Sequence, residues 1–279
     1  MKKRSILPSL AAVLLCSVLA AGCSGSSTGN IEGLDKLGAI HAVTREKDSG
    51  TRASFDDLTG ITVEAEDITV AESTEDMLAA VSDSSSIGYL TSQAVTDDVK
   101  ALQVNGKSVD DKSYPLTRQL YLCYKGELSD VEKEFITYVT GKGQEIVAEE
   151  FEAVGKADTF LSLKPSGSIL IGGSSSEAPV MEELAKAYME LNPNASITVE
   201  TTDSGTGISN ALEGTYDLGM SSRKPKSYEK DLLTFETIAR DRIAVITGKD
   251  NPLDNITAAQ LKKIYTGELT DWADLPSVK

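Results

Sequence analysis

Short apolar runs alternate along this chain with stretches in which apolar side chains return every third or fourth position. The runs 40–44, 87–90, 120–124, 169–171, 197–201, 216–220 and 243–247 have the length and character of buried strands. Between them the helical period recurs: Met77, Ala80 and Val81 share a face, as do Phe135, Ile136 and Val139. Val180, Leu184, Tyr188 and Leu191 form a third such stripe, and Leu261, Ile264 and Tyr265 a fourth. Local start and stop signals agree with these periods. Ser73 and Thr257 are placed as N-caps, and Ser129-Asp130-Val131-Glu132 reads as a capping box. Gly141 stops the helix behind that box, a second begins near Gly143, and Asn192-Pro193-Asn194 ends the one that starts at Pro179. Residues 51–58 read as a helix following a turn, and 99–109 as a hairpin turning at Asn105-Gly106. Repeated strand–loop–helix units predict an α/β protein with mainly parallel sheets.

The first residues fall outside that pattern. Lys2, Lys3 and Arg4 precede a mostly apolar stretch to Ala21 that Pro8, Ser9 and Ser17 interrupt, too short for a membrane span. Leu19-Ala20-Ala21-Gly22-Cys23 resembles a bacterial lipobox, so 1–22 is expected to be a signal segment and Cys23 the lipidated residue of an exported protein. Plain secretion with cleavage nearby is the alternative. Residues 23–37, rich in Ser and Gly, then read as a flexible tether. The net charge of −16 argues against a nucleic-acid partner, which needs a basic stripe. It does not exclude a small anion, because a local site depends on nearby donors and dipoles. Beyond the signal and Cys23 only Cys123 remains, so no internal disulfide is expected, and its apolar surroundings read as a buried strand. One histidine and one free thiol offer no metal cluster, and no cofactor is expected.

Three segments place Ser, Thr and Gly between a strand and a helix: 49–51, 173–176 and 204–207. A helix N-terminus has unpartnered N–H groups and a partial positive charge, glycine permits close approach, and hydroxyls add donors. Each alone is an ordinary cap. Together with Arg45, whose planar fork matches two oxygens of a tetrahedral anion, they suit an oxyanion.

Arg45-Glu46-Lys47-Asp48-Ser49-Gly50-Thr51 resembles the arginine–Ser-Gly-Thr turn of bacterial phosphate-binding proteins, the capture components of the high-affinity phosphate ABC transporter. Ile171-Gly172-Gly173-Ser174-Ser175-Ser176, Asp203-Ser204-Gly205-Thr206-Gly207-Ile208, Asp217-Leu218-Gly219-Met220-Ser221-Ser222-Arg223 and Tyr265-Thr266-Gly267-Glu268-Leu269-Thr270-Asp271-Trp272 are similar to further stretches of that family. The resemblance implies a two-lobe type II periplasmic-binding-protein fold with a mainly parallel sheet in each lobe. It also implies a circularly permuted order, since the arginine turn precedes the other motifs. The expected division is 38–116 and 247–279 for one lobe and a contiguous 117–246 for the other. The implied ligand set is Arg45, Ser49, Gly50 and Thr51 from the first and Ser175, Ser176, Ser204 and Ser222 from the second. The implied partners are phosphate, an ABC permease, and the membrane through the lipid on a monomeric chain. Two departures stand out. Ser222 occupies a place where many members have an aspartate that accepts the proton of hydrogen phosphate, and Lys47-Asp48 replaces a more usual acidic-Gly pair.

Other readings remain open at this level. Sulfate, molybdate or tungstate could replace phosphate, given Ser222, and a surface sensor or adhesin could reuse the fold. A serine hydrolase would need His41, the only histidine, as base, and a packed or exposed strand position is the plainer account of that residue. Arg52 and Arg223 could touch ligand or serve in ion pairs.

Overall fold

A computed structural model describes residues 31–276, so the signal segment and Cys23 lie outside it. In chain order the first elements are β1 (His41–Arg45), α1 (Gly50–Thr59), β2 (Thr69–Ala71), α2 (Thr74–Ala80), β3 (Ser86–Thr91), β4 (Val99–Ala101) and β5 (Gln103–Val104). The middle contributes β6 (Thr117–Tyr124), α3 (Asp130–Thr140), α4 (Gln144–Glu150), β7 (Glu152–Ala153), β8 (Gly167–Ser174), α5 (Ala178–Leu191), β9 (Ala195–Thr202), α6 (Ser204–Glu213) and β10 (Leu218–Ser221). The last are α7 (Ser227–Lys230), β11 (Thr234–Gly248), β12 (Asn255–Ile256) and α8 (Ala258–Tyr265). Side-chain caps start five of the helices. Ser49, Ser73, Ser129, Asp203 and Thr257 each accept from the N–H three residues on, and Ser129 and Thr257 close full capping boxes.

Two local expectations change in the folded chain. Residues 204–207 form the first turn of α6 rather than a loop, because Asp203 caps them directly. Asn105 and Gly106 do take the positive φ of a tight turn, 52° and 73°, and Val104 bridges Lys107. The flanking strands, however, pair elsewhere, β4 with β11 and β5 with β12. Burial against those partners outweighs what a short isolated hairpin offers.

One twisted sheet of order β2-β1-β3-β11-β6-β10-β8-β9 runs through the molecule. Its two ends are parallel ladders, β2-β1-β3 and β10-β8-β9, as the strand–helix alternation predicts. Between them β6 and β11 run antiparallel to their neighbours. Strand β11 is fifteen residues long, far beyond the apolar run 243–247. Its first part pairs with β6, and from Ile243 onward it pairs with β3. The stretch Glu236–Arg242, polar apart from Ile238 and Ala239, is strand because β6 supplies its ladder.

Hydrophobic cores form on either side of this crossing. One gathers Leu122, Phe135, Ile171, Leu184, Met220 and Ile238; Cys123, free and buried, belongs to its extension with Ile208. On the other side Phe55, Tyr89, Leu116, Val245, Tyr265 and Trp272 pack together, with Val43, Met77 and Leu90 nearby. Residues from both ends of the described chain join this second side. The Ile40 N–H donates to the Thr270 carbonyl (2.8 Å), and the Trp272 N–H to that of Gly38 (3.0 Å). No helix among the described residues is long and apolar enough to cross a membrane.

Helix α1 is anchored by Phe55, fully buried and stacked on Tyr89 with ring centroids 3.9 Å apart. Phe55→Ala should cost about 3–5 kcal/mol, the usual penalty for emptying a buried aromatic site. Urea titration measures it, and a loss under about 1 kcal/mol would mean that α1 is held by something else.

Candidate anion-binding site

Strand β1 ends in Arg45, whose side chain is buried although it carries a full charge. Glu46 compensates it through two bonds, Nε to Oε2 at 2.7 Å and Nη2 to Oε1 at 2.8 Å. The rest of the fork points across the molecule: Nη2 donates to Ser175 Oγ (3.2 Å), and Nη1 reaches Thr74 Oγ1 (3.5 Å) at the start of α2. Arg52 braces the same turn from behind. Its Nη1 donates to the Arg45 carbonyl (2.9 Å), and its Nη2 pairs with Glu64.

The eight residues expected at the site converge here. Thr51 Oγ1 lies 2.9 Å from Ser176 Oγ, and Ser54 Oγ donates to the Ser222 carbonyl (2.9 Å). Gly50 is wedged so tightly that a Cβ placed on it would stand 2.1 Å from Ser204 Oγ and 2.6 Å from Ser222 Oγ. Ser204 and Ser222 are 3.3 Å apart through their hydroxyls, and the Ser222 N–H donates to Ser204 Oγ (3.0 Å). The backbones also meet, Gly205 N–H donating to the Asp48 carbonyl (3.1 Å). Ser49 differs from the others, since its Oγ accepts the Arg52 N–H as the cap of α1. The N-terminal ends of α1, α5 and α6 thus surround one cluster of hydroxyls and a guanidinium, which favours negative charge.

Several participants were not among the residues singled out from the sequence. Arg118 on β6 donates Nη1 to Thr51 Oγ1 (2.8 Å), while Asp241 on β11 holds it by Nε (2.8 Å) and Nη2 (2.7 Å). The one available signal was a charged residue inside an otherwise largely apolar strand. Glu46 and Thr74 gave no signal. Arg223 is bound by Glu229 through both carboxylate oxygens (2.9 and 2.7 Å), so it acts as an ion-pair partner. That pair holds the Glu229 carboxyl below its ordinary range against the opposing effect of burial.

Nucleophilic chemistry finds no support in the surroundings of His41. Ser85 Oγ lies 3.2 Å from His41 Nδ1 but also donates to Asp83 Oδ1 (3.0 Å). The hydroxyl therefore sits between base and carboxylate, whereas activation requires the imidazole in the middle. The Cys123 thiol is pushed up to about 12 by burial, which keeps it protonated.

Comparison with known proteins places this geometry in context. A family model described as a PBP superfamily domain matches residues 29–142 and 160–279. The phosphate-binding protein PstS 2 of Streptococcus agalactiae is 34% identical, the match covering 99% of this chain and 99% of that protein. A crystal structure of a phosphate-binding protein of a phosphate ABC transporter from Streptococcus pneumoniae aligns at 34% identity with a TM-score of 0.70, covering 84% of this chain and 98% of that one. The phosphate-binding protein PstS of Bacillus subtilis matches over 40% of this chain, also at 34% identity.

A titration inside the brace behind Arg45 is measurable. Burial pushes the Asp56 carboxyl up to about 7, with Glu64 adding to the shift and Arg52 opposing it. The folded chain then holds a proton that the unfolded chain releases near 3.8, so this group's contribution is full below that value and is lost as pH rises toward 7. Asp56→Asn should be more stable than the unaltered protein at about pH 8, with the margin shrinking toward about pH 4. Thermal melts at both ends decide it; a margin independent of pH would contradict the assignment.

Proposed function

The chain belongs to the PBP superfamily and, within it, to the family of PstS phosphate-binding proteins, and on that premise we propose that it captures inorganic phosphate between its two halves for an ABC importer. The observation that carries this reading is that Arg45 meets Ser175 where the hydroxyls of Thr51 and Ser176, and those of Ser204 and Ser222, also pair at three helix N-termini. Such a site offers many neutral donors and little net positive charge, because Glu46 already balances Arg45. Selection then rests on geometry and on the direction of hydrogen bonds. Ser49 supports the arrangement as a cap, and Gly50 and Thr51 contribute backbone at the first turn of α1.

Further parts of the reading follow the same premise. Cys23 is the lipid-bearing residue that holds the exported, monomeric chain at the outer face of the cell membrane. Residues 38–116 and 247–279 form one lobe and 117–246 the other, in permuted order. The meeting of Gly38 and Ile40 with Thr270 and Trp272 supports that order. Arsenate or sulfate would fit the same shape, and Ser222 is the specific reason to test them, since a hydroxyl can donate or accept.

Calorimetry with phosphate should give binding at one site, and Arg45→Ala should weaken it by roughly 100-fold or more, the value of a charge-assisted pair. Absence of phosphate heat in the unaltered protein would refute the proposal. Gly50→Ala separates closure from folding. Its backbone is helical with no positive φ, so α1 itself tolerates alanine, and any fall in melting temperature reports the clash with Ser204 and Ser222. The added methyl blocks the approach of Ser204 and Ser222, so phosphate affinity should fall by roughly tenfold or more.

A further inference from the structure

Glu177 lies immediately after the serine loop and has no exposed surface. Neither of its carboxylate oxygens has a hydrogen-bond partner among the described residues. A buried carboxyl of this kind is costly and calls for an explanation. The titratable and charged groups that face it are Arg118, Tyr121 and Cys123 on β6 and Asp241 on β11. Arg118 is already held by Asp241 at 2.7 and 2.8 Å, so its charge is largely spent. Ser174 stands one turn before it, its carbonyl accepting the Glu177 N–H (3.0 Å). Ser174 in turn donates its hydroxyl hydrogen to Ser222 Oγ (2.9 Å), and Ser222 meets Ser204.

We propose that Glu177 is a positioning residue that sets the hydrogen-bond direction of the Ser174–Ser222–Ser204 chain and, through it, the anion selectivity of the cleft. The inference rests on the oxyanion reading given above. Burial, opposed by Arg118 and reinforced by Asp241, holds the carboxyl well above its ordinary range. While the carboxyl keeps its proton, Ser174 gives its hydrogen to Ser222, as the 2.9 Å bond records, and the hydrogen of Ser222 is left for the cleft. Ser222 then donates to any unprotonated oxygen, of sulfate and phosphate alike. When Glu177 ionises it becomes the stronger acceptor and draws the Ser174 hydrogen to itself. Ser222 then donates to Ser174 and turns a lone pair to the cleft. A lone pair there accepts the proton of hydrogen phosphate and repels sulfate, which has none to give.

The test is calorimetric competition of sulfate against phosphate on the full chain between about pH 6 and 9.5, for the unaltered protein, Glu177→Gln and Ser174→Ala. The titration of phosphate itself is common to all three and cancels in the comparison. In the unaltered protein the sulfate-to-phosphate affinity ratio should fall by about tenfold as pH rises, the worth of one charge-assisted hydrogen bond. In Glu177→Gln, which cannot ionise, and in Ser174→Ala, which cuts the chain and leaves the carboxyl buried, the ratio should stay within about twofold. The same fall in both variants overturns the proposal, as does exclusion of sulfate by the unaltered protein at every pH. If Glu177→Gln fails to fold, Ser174→Ala alone decides between these outcomes. Tight phosphate binding alongside a refuted pH pattern would leave the phosphate assignment standing, whereas binding of neither anion would remove both.

Discussion

A guanidinium buried at the end of a strand is the constraint around which this molecule is arranged. Arg45 is almost wholly removed from water, and an unpaired charge so placed would cost several kcal/mol. Three sources compensate it: Glu46 from the next position, Thr74 from the start of a helix, and Ser175 from the opposite half. Since one of those partners belongs to the other half, the guanidinium that Glu46 balances also ties the two sides together. The polar contacts around it, Thr51 with Ser176, Ser54 with Ser222 and Gly205 with Asp48, follow from that approach.

The two halves are joined through β6 and β11, and their polar residues tie the joint to the site. Arg118 and Asp241 face each other across this pair of strands, buried and joined at Asp241 Oδ2 by a hydrogen bond from Nε and an ion contact from Nη2. From there Arg118 reaches Thr51, while Thr91 on β3 donates to Asp241 (3.1 Å). A buried pair of this kind adds little net stability but fixes relative position, because every alternative arrangement leaves a charge unpaired. In this member of a family of phosphate-binding proteins, strands β6 and β11, the arginine turn and the serine segments share one polar network.

Much of the site was legible because its chemistry is local. Ser49, Ser175, Ser176 and Ser204 stand at helix starts, and capping signals depend on only four or five neighbouring residues. Arg118, Glu46 and Asp241 were not legible. Their roles depend on partners up to 123 positions away or on a charge turned inward from a strand, and local pattern carries neither. Long β11 was hidden for the same reason. Residues 236–242 are mostly polar, with Ile238 and Ala239 turned into the core, and their ladder is supplied by β6 alongside.

By itself the sequence determined every helix but α7, the parallel character of both ends of the sheet, and the set of helix starts suited to an oxyanion. Each of these follows from short-range periodicity and from backbone groups that need partners nearby. Tertiary structure alone decided that the first turn of α1 meets the serines of the other half, that Arg52 and Arg223 serve as ion-pair partners, and that a buried Glu177 stands behind Ser174. Those outcomes depend on which distant surfaces lose water together, and desolvation is a property of the packed whole.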